Sequence, residues 1–359
     1  MMKVFEIGSE YDWDSTFQYI SKEKNNKFQQ TENSIFKFLR SGRDALRYIA
    51  KVYKKEKSAV LMPALCCSCM PEPFEDEEYE IIYYKLKDTL EIDVEDVLKK
   101  IKDDSIFLFM NYFAIPSLKS EELEKIVCSR KNIISVEDIT HDFLNRDLKE
   151  GNADITICSI RKWFSIADGG IIFSKNSVPY IQLEKDDFFS KNRMEAMKIK
   201  SEYLKIGDIA QKNKFREKLA ISNEYIDNIK NLIEMNEESK KSLVYLNLDE
   251  MYKERLNNSK FLFDNIKKIK KIKTLGIESV NSTLYFPIVV SAQKEIQQKL
   301  AQNGVYAPVI WPLPEKAIGI CKVADKLANQ MLAIPCDHRY SKREMSKVVE
   351  ILDKIINEI

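Results

Sequence analysis

The sequence predicts an α/β fold in which a mostly parallel sheet is covered by helices on both faces. In the first half of the chain, short apolar runs alternate with segments whose apolar residues have helical spacing. Strands that are apolar throughout are typical of parallel sheets buried on both faces. The predicted strands of this half are 59–62, 81–85, 106–112, 133–136, 155–159 and 171–173, and its predicted helices are 36–56, 94–101 and 121–128.

The second half of the chain has a different pattern. Residues 186–270 are highly charged and helical, with no convincing strand. Two predicted strands, 284–290 and 305–310, then flank a helix at 294–302, and a last helix covers 342–356. This order predicts a smaller C-terminal α+β domain. We therefore expect a large domain at 1–245 and a small domain at 246–359.

Composition excludes several classes of protein. Lys and Arg number 57 against 56 Asp and Glu, so we expect no general attraction to nucleic acid or to an anionic membrane. The longest apolar stretch, 106–115, is too short to span a bilayer, and the N-terminus has no signal-peptide pattern. Seven cysteines, an odd number, favour reduced thiols. We therefore expect a cytoplasmic protein.

One lysine stands out because of its surroundings in the sequence. Lys162 ends the run Ser-Ile-Arg-Lys and precedes Asp168-Gly169-Gly170 by six residues, while Asp138 ends an earlier predicted strand. In parallel sheets, ligands bind at the carboxyl ends of strands, where Asp138 and Ser159 are both expected. The spacing therefore predicts a lysine that holds an aldehyde cofactor such as pyridoxal phosphate as a Schiff base.

Each predicted site residue has a chemical reason. The amine of Lys162 can carry the aldehyde and move protons, and the carboxylate of Asp138 can keep a pyridine nitrogen protonated. His141 can pack on the ring or hydrogen-bond to it, and the hydroxyl of Ser159 can bind phosphate. Further phosphate donors are expected where a helix begins after Ser41, at Gly42, Arg43 and Asp44.

The motifs and their order resemble the DegT/DnrJ/StrS-type sugar aminotransferases, which are pyridoxal-phosphate enzymes of fold type I. The hallmarks of that family are S-G-T-A-A-L, a V-P-A loop, E-D-x-x-Q/H, and S-x-x-K followed by G-E-G-G. The resemblance covers roughly residues 36–175. The matching segments of this chain are 41–46 (SGRDAL), 62–64 (MPA), 137–141 (EDITH), 159–162 (SIRK) and 167–170 (ADGG).

The resemblance implies a mechanism and an assembly. It implies that Lys162 forms the internal aldimine, that Asp138 pairs with the ring nitrogen, and that Ser159 binds phosphate. It also implies glutamate as the amino donor, a keto sugar on a nucleotide as the acceptor, and a homodimer with the active site at the subunit interface.

Departures from the family pattern bear on the substrate. Arg43 replaces the threonine that usually helps to bind phosphate, and its guanidinium can form bidentate hydrogen bonds with phosphate or with a carboxylate. Cys67 stands at about the position of the aromatic residue that commonly stacks on the ring. Asp168 replaces the glutamate of G-E-G-G, and Ala167 replaces its first glycine.

Other interpretations of the same residues remain open. Asp138 could cap a helix, His141 could be a core residue, Ser159 could be a turn residue, and Trp311 could line either a substrate pocket or the core. Cys66, Cys67 and Cys69 lack the second cluster that a zinc site needs, so no metal is expected. A non-catalytic or regulatory protein that binds the cofactor is the alternative function. A sugar dehydratase of the same fold would usually lack the lysine.

Overall fold

A seven-stranded sheet built from residues 35–174 forms the centre of the molecule in the computed structural model, which describes residues 4–29, 34–275 and 280–359. The strands are β1 (Ile7–Gly8), β2 (Ile35–Leu39), β3 (Ala59–Pro63), β4 (Glu80–Tyr84), β5 (Ser105–Met110), β6 (Ile134–Asp138), β7 (Ile155–Cys158), β8 (Gly170–Ser174), β9 (Lys273–Thr274), β10 (Tyr285–Val289), β11 (Val305–Tyr306) and β12 (Met331–Pro335).

Helices flank the sheet and fill the middle of the chain. None of the described helices is long and apolar enough to cross a bilayer. Local signals fix their ends: Gly207 adopts a left-handed conformation that ends α5, and the side chain of Asp208 then caps α6. The helices are α1 (Gly42–Tyr53), α2 (Glu72–Glu75), α3 (Val94–Lys100), α4 (Ser120–Cys128), α5 (Phe188–Ile206), α6 (Ile209–Asn228), α7 (Glu237–Val244), α8 (Leu248–Ile266), α9 (Gln293–Gln302), α10 (Lys322–Gln330) and α11 (Lys342–Glu358).

The central sheet has the order β2-β8-β7-β6-β5-β3-β4. Strands β3 to β7 pair in parallel, whereas β8 is antiparallel to both β7 and β2. Every residue of β3, β5, β7 and β8 is buried, which explains why their sequences are apolar throughout. The predicted α/β class with a mostly parallel sheet is therefore confirmed.

The C-terminal part contains its own three-stranded antiparallel sheet, in the order β12-β10-β9. Apolar side chains from α8, α9 and α11 pack together with this sheet in a second core. The N-terminus also reaches this region, because β1 pairs in parallel with β11 through Ile7 and Val305. The boundary between 1–245 and 246–359 stays a prediction.

Some predicted elements differ from the structure. The helix expected at 36–56 is wrong in its first part, because Ile35–Leu39 form a strand and the helix begins only at Gly42. Phe36 and Leu39 stand three positions apart, a spacing typical of one helix face, but in the strand they lie on opposite faces, so the pattern was misleading here. The strand expected at 305–310 is limited to Val305–Tyr306. Helix α10 and strand β12 were not predicted.

Gly170 allows the sheet to lie very close to the start of α1. It begins β8 and pairs with Leu39 of β2. A Cβ atom on Gly170 would lie 2.1 Å from the carbonyl oxygen of Ser41 and 2.7 Å from the backbone nitrogen of Gly42. Because these are backbone atoms, the strand and the helix would have to separate to make room.

We expect Gly170→Ala to lower the free energy of unfolding by about 1–3 kcal/mol, since overpacking of a tight contact is destabilising. Urea unfolding followed by circular dichroism measures this change. Gly151→Ala is the matched control, because the nearest atom to its new Cβ would be at an ordinary 3.7 Å. Equal stabilities for the two variants would contradict the close packing of β8 against α1.

Candidate active site

An inner cavity lies where the carboxyl ends of the parallel strands meet the start of α1. Its volume is about 90 Å³. A larger outer cavity of about 680 Å³ shares His141, Arg161, Lys162 and Trp311 with it. The remaining residues that line the inner cavity are Ser41, Gly42, Arg43, Leu46, Cys67, Cys69, Met70, Met110, Asp138, Thr140, Ser159 and Ile226.

Lys162 reaches both cavities from a short 3-10 helix, Ile160–Lys162, that follows β7. Its backbone N–H donates to the carbonyl of Ser159 at 3.2 Å. The next residue, Trp163, is fully buried, and its indole N–H donates to the carbonyl of Thr140 at 2.7 Å. This anchor ties the lysine-bearing turn to the segment that follows β6.

Asp138 lies on the wall of the same inner cavity as Lys162. It is the last residue of β6, and it pairs with Ile157 of β7 on one side and with Met110 of β5 on the other. Its Oδ1 accepts a hydrogen bond from the backbone N–H of Thr140 at 2.8 Å. Burial raises the pKa of Asp138, while the hydrogen bonds from Thr140 and the charge of Lys162 oppose this rise. A cation beside its carboxylate would favour the ionised form.

His141 is fully buried and packs between two aromatic rings. Its ring centre lies 5.0 Å from that of Phe113 and 5.2 Å from that of Trp311. Burial lowers the pKa of His141 to about 3, and the charge of Lys162 acts in the same direction. The imidazole is therefore neutral at physiological pH. Its Nδ1 is buried and has no hydrogen-bond partner among the described residues, which leaves one polar atom free for a ligand.

The start of α1 lies against Ser159. A Cβ on Gly42 would lie 2.8 Å from the Cβ of Ser159, so only glycine allows this approach. Ser159 is buried, and its backbone N–H donates to the hydroxyl of Thr140 at 2.9 Å. Helix N-termini bind anions because their first N–H groups lack helical partners. Gly42 and Ser159 therefore lie together at an edge suited to an anion.

The neighbouring residues Arg43 and Asp44 are already engaged by other side chains. Arg43 lines the cavity, but its Nη1 pairs with Asp227 at 2.8 Å and with Glu72 at 3.5 Å. The carboxylate of Asp44 is buried and accepts two hydrogen bonds from Arg40, at 2.8 and 2.9 Å. The backbone N–H of Asp44 donates to the hydroxyl of Ser41, which caps the helix. Asp44 does not line the cavity; it supports the start of α1 from behind.

Cys67 lies on the cavity wall beside a second thiol. The Cys69 thiol donates a hydrogen bond to the sulfur of Cys67 at 3.0 Å. This hydrogen bond lowers the pKa of Cys67 and raises that of Cys69, and the charges of Lys162 and Arg43 further lower the pKa of Cys67. Cys67 therefore has more thiolate character than an ordinary cysteine.

The residues after the lysine support the turn that carries it. Gly169 has φ +146°, and its N–H and C=O bond to the backbone of Arg40 and Arg161. Asp168 is buried and accepts a hydrogen bond from the backbone N–H of Asn236 at 2.9 Å. Burial raises the pKa of Asp168 to about 6. Asp168 lines neither cavity, and its carboxylate joins the turn to the chain before α7.

The outer cavity contains residues that the motifs did not identify. They come from the N-terminal segment, from the chain around β10, and from the region of α9 and β11. The N-terminal residues among them follow β1, whose pairing with β11 no local pattern in the sequence indicates. The sequence points to Trp311 alone as a candidate pocket residue outside the motifs. The remaining outer-cavity residues are Ser9, Glu10, Tyr11, Leu284, Tyr285, Gln297, Gln298, Ala301, Tyr306, Ala307, Pro308, Val309 and Ile310.

Comparison with known proteins places the chain in a structural class. No family model and no curated protein matches the sequence. Spr1654 of Streptococcus pneumoniae, solved in its PLP form, is 15% identical with a TM-score of 0.66, and 99% of each chain is covered. Helicobacter pylori PseC, an aminotransferase of pseudoaminic acid biosynthesis, is 11% identical with a TM-score of 0.67 over 100% of both chains.

A DegT DnrJ EryC1 StrS aminotransferase from Brucella abortus is 13% identical with a TM-score of 0.62, covering 89% of this chain and 85% of that one. This chain has their fold. It is the fold of pyridoxal-phosphate-dependent transferases of type I, as the motifs predicted, and at these identities the likeness concerns the fold alone.

We expect Cys67 to react with iodoacetamide at a lower pH than an ordinary cysteine, because the Cys69 hydrogen bond stabilises its thiolate. Peptide mass spectrometry across a pH series measures the rate, with the exposed Cys128 as an internal reference. In Cys69→Ala the pH profile of Cys67 should move upward. A Cys67 profile that is unaffected by the loss of Cys69 would exclude the thiol pair.

Proposed function

We propose that this chain is a pyridoxal-phosphate-dependent aminotransferase. In this proposal it transfers an amino group from glutamate or a similar donor to a keto sugar carried on a nucleotide. One observation carries the proposal: Lys162 and Asp138 lie on the wall of one cavity, beside the start of α1. An amine, a carboxylate and an anion-binding helix end are the groups that this cofactor requires of a protein.

The described residues fit the cofactor in three respects. The amine of Lys162 and the carboxylate of Asp138 have access to the same space. The missing Cβ of Gly42 brings the start of α1 next to Ser159, where a phosphate would find N–H and hydroxyl donors. The buried Nδ1 of His141 lacks a hydrogen-bond partner in the part of the chain that the structure describes. We therefore propose Lys162, Asp138, His141, Ser159 and Gly42 as residues that contact the cofactor.

Three further positions contribute less directly. Cys67 offers a sulfur on the cavity wall, and Arg43 offers a charge that its partners Asp227 and Glu72 hold in place. Asp44 acts through Arg40 and Ser41, so it positions the helix start and does not touch the ligand.

The proposed chemistry needs a proton carrier and a fixed negative charge. When bound, pyridoxal phosphate supplies an electron sink that stabilises negative charge on the reacting carbon of the substrate. Lys162 takes a proton from that carbon and returns one in the reverse half of the cycle. The carboxylate of Asp138 holds the proton on the ring nitrogen, because opposite charges in a buried site favour each other. The rings of His141 and Trp311, whose centres lie 5.2 Å apart, form the wall that the two cavities share.

The outer cavity suits a polyhydroxylated acceptor. Serine, glutamine and tyrosine side chains on its wall can donate and accept hydrogen bonds, as the hydroxyls of a sugar require. Trp311 adds an aromatic face on which a sugar ring can pack. The volume of the outer cavity, about 680 Å³, lies within the usual range for small-molecule sites, about 300–1,000 Å³.

We further propose that the protein works as a homodimer, since the motif resemblance implies an active site at a subunit interface. Light scattering coupled to size-exclusion chromatography tests this, and a monomer would contradict it. The cytoplasmic location stays a prediction.

We expect purified protein to be yellow with pyridoxal phosphate, and Lys162→Ala to lose both this colour and all amino transfer, because no other described lysine lines the cavity. Absorbance spectroscopy and single-turnover mixing with glutamate measure the two properties. Lys185→Ala, at an exposed position, is the control and should behave as the wild type. A colourless wild type that takes up no added cofactor would refute the proposed function.

We expect Asp138→Asn to keep the cofactor but to slow the half-reaction with glutamate by about 10²–10³-fold, the usual effect of removing one charge that stabilises a transition state. Stopped-flow absorbance measures the rate. Exposed Asp88→Asn serves as the control for loss of a carboxylate. A half-reaction of unchanged rate in Asp138→Asn would exclude its role at the ring nitrogen.

A further inference from the structure

Arg161 has no role in the function proposed above, yet it lines both cavities beside Lys162. Its backbone is fixed, because its N–H donates to the carbonyl of Gly169 at 3.2 Å. Its guanidinium lies over the ring of buried Phe189, 5.9 Å from the ring centre. The Nε atom is buried and has no hydrogen-bond partner among the described residues.

A buried hydrogen-bond donor without an acceptor is costly, and the Nε of Arg161 is such a donor among the described residues, so this cost points to a ligand. Burial and the charge of Arg193 lower the pKa of Arg161 to about 10, so it still carries its charge at neutral pH. Buried donors normally have acceptors, and buried charges normally have partners. The free Nε therefore indicates that an acceptor binds there in the working protein.

The carboxylate of Glu10, whose charge acts on Arg161, cannot serve fully as that acceptor. Glu10 lines the outer cavity, but its Oε2 accepts a hydrogen bond from Nη2 of Arg193 at 2.6 Å. Burial raises the pKa of Glu10, but the charges of Arg193 and then of Arg161 outweigh burial and lower this pKa to about 2. One carboxylate thus faces two guanidinium groups. The cluster of Glu10, Arg161 and Arg193 keeps an excess positive charge.

We propose that Arg161 binds the α-carboxylate of the amino donor, a contact that rests on the aminotransferase function proposed above. A guanidinium offers two parallel N–H groups that match a carboxylate. Position in the chain selects this anion: Arg161 adjoins the lysine that handles the reacting carbon, and an α-carboxylate is attached to that carbon. The diphosphate of a nucleotide sugar lies a whole sugar ring away from the reacting carbon. The phosphate of the cofactor has its own donors at the start of α1.

The test compares Arg161→Gln and Arg161→Lys with the wild type, and uses exposed Arg216→Gln as the control. Isothermal titration calorimetry with 2-oxoglutarate measures anion binding without any turnover. Single-turnover spectra compare glutamate with 4-aminobutyrate, which lacks only the α-carboxylate. Absorbance titrations with pyridoxal phosphate and with pyridoxal, which lacks the phosphate, measure cofactor binding.

We expect Arg161→Gln to weaken the binding of 2-oxoglutarate and of glutamate by about 10–100-fold, the effect of losing a hydrogen bond between charged groups. Arg161→Lys keeps the positive charge but loses the pair of parallel N–H donors, so its affinities should lie between those of the wild type and of Arg161→Gln. The reaction with 4-aminobutyrate and the affinity for pyridoxal phosphate should not change, and Arg216→Gln should match the wild type throughout.

Two results would overturn the proposal. One is an Arg161→Gln variant whose 2-oxoglutarate and glutamate affinities equal those of the wild type. The other is a variant that loses affinity for pyridoxal phosphate but not for pyridoxal, which would assign Arg161 to the cofactor phosphate. A wild type that binds 2-oxoglutarate through Arg161 but takes up no cofactor would refute the aminotransferase function while leaving an anion site at Arg161.

Discussion

The register between β6 and β7 is the constraint on which the rest of the site depends. Asp138 pairs with Ile157, one residue before β7 ends, so the turn that carries Lys162 must start at the same edge of the sheet. Parallel strands enforce this, because both chains leave the sheet at their carboxyl ends. The turn is then held by the indole of Trp163, bonded to the carbonyl of Thr140. A shift of register would move the amine and the carboxylate apart.

Burial shifts the pKa values of three groups at this edge of the sheet in the direction that favours their neutral forms. It raises the pKa of Asp138 and lowers the pKa values of His141 and Arg161. In each case the charged form is penalised because it is removed from water. A bound ligand with opposite charges would relieve the penalties on the carboxylate and the guanidinium, whereas the imidazole remains neutral. A ligand with the matching charges would therefore bind more tightly, because its binding removes the cost of burying these charged groups.

The sequence was sufficient for those parts of the site that lie at strand ends. Asp138, Ser159 and Lys162 could be assigned to one edge because apolar runs precede each of them, and Gly42 could be assigned to a helix start. Local patterns failed where partners are distant in the chain. Ile35–Leu39 form a strand only because β8 turns back antiparallel beside them. Glu10 and Tyr11 reach the outer cavity because β1 pairs with β11, some 300 residues away. The pairing of Arg40 with Asp44 is local, but Arg40 precedes the helix, so helical spacing does not predict this pair.

The two arginines of the inner cavity illustrate how partners, more than position, decide what a charged residue can bind. From the sequence, Arg43 is the better candidate for an anion, because it stands at the start of a helix within a recognised motif. In the structure its Nη1 has two carboxylate partners, Asp227 and Glu72, whose charges already offset that of the guanidinium. Arg161 belongs to no hallmark of the motif, and its buried Nε has no hydrogen-bond partner within residues 4–29, 34–275 and 280–359. An ion pair that is already formed offsets the attraction for a ligand, whereas an unsatisfied buried donor strengthens it. In the described part of the chain, the unsatisfied buried Nε is therefore the observation that favours Arg161 over Arg43 as the anion-binding arginine of the proposal.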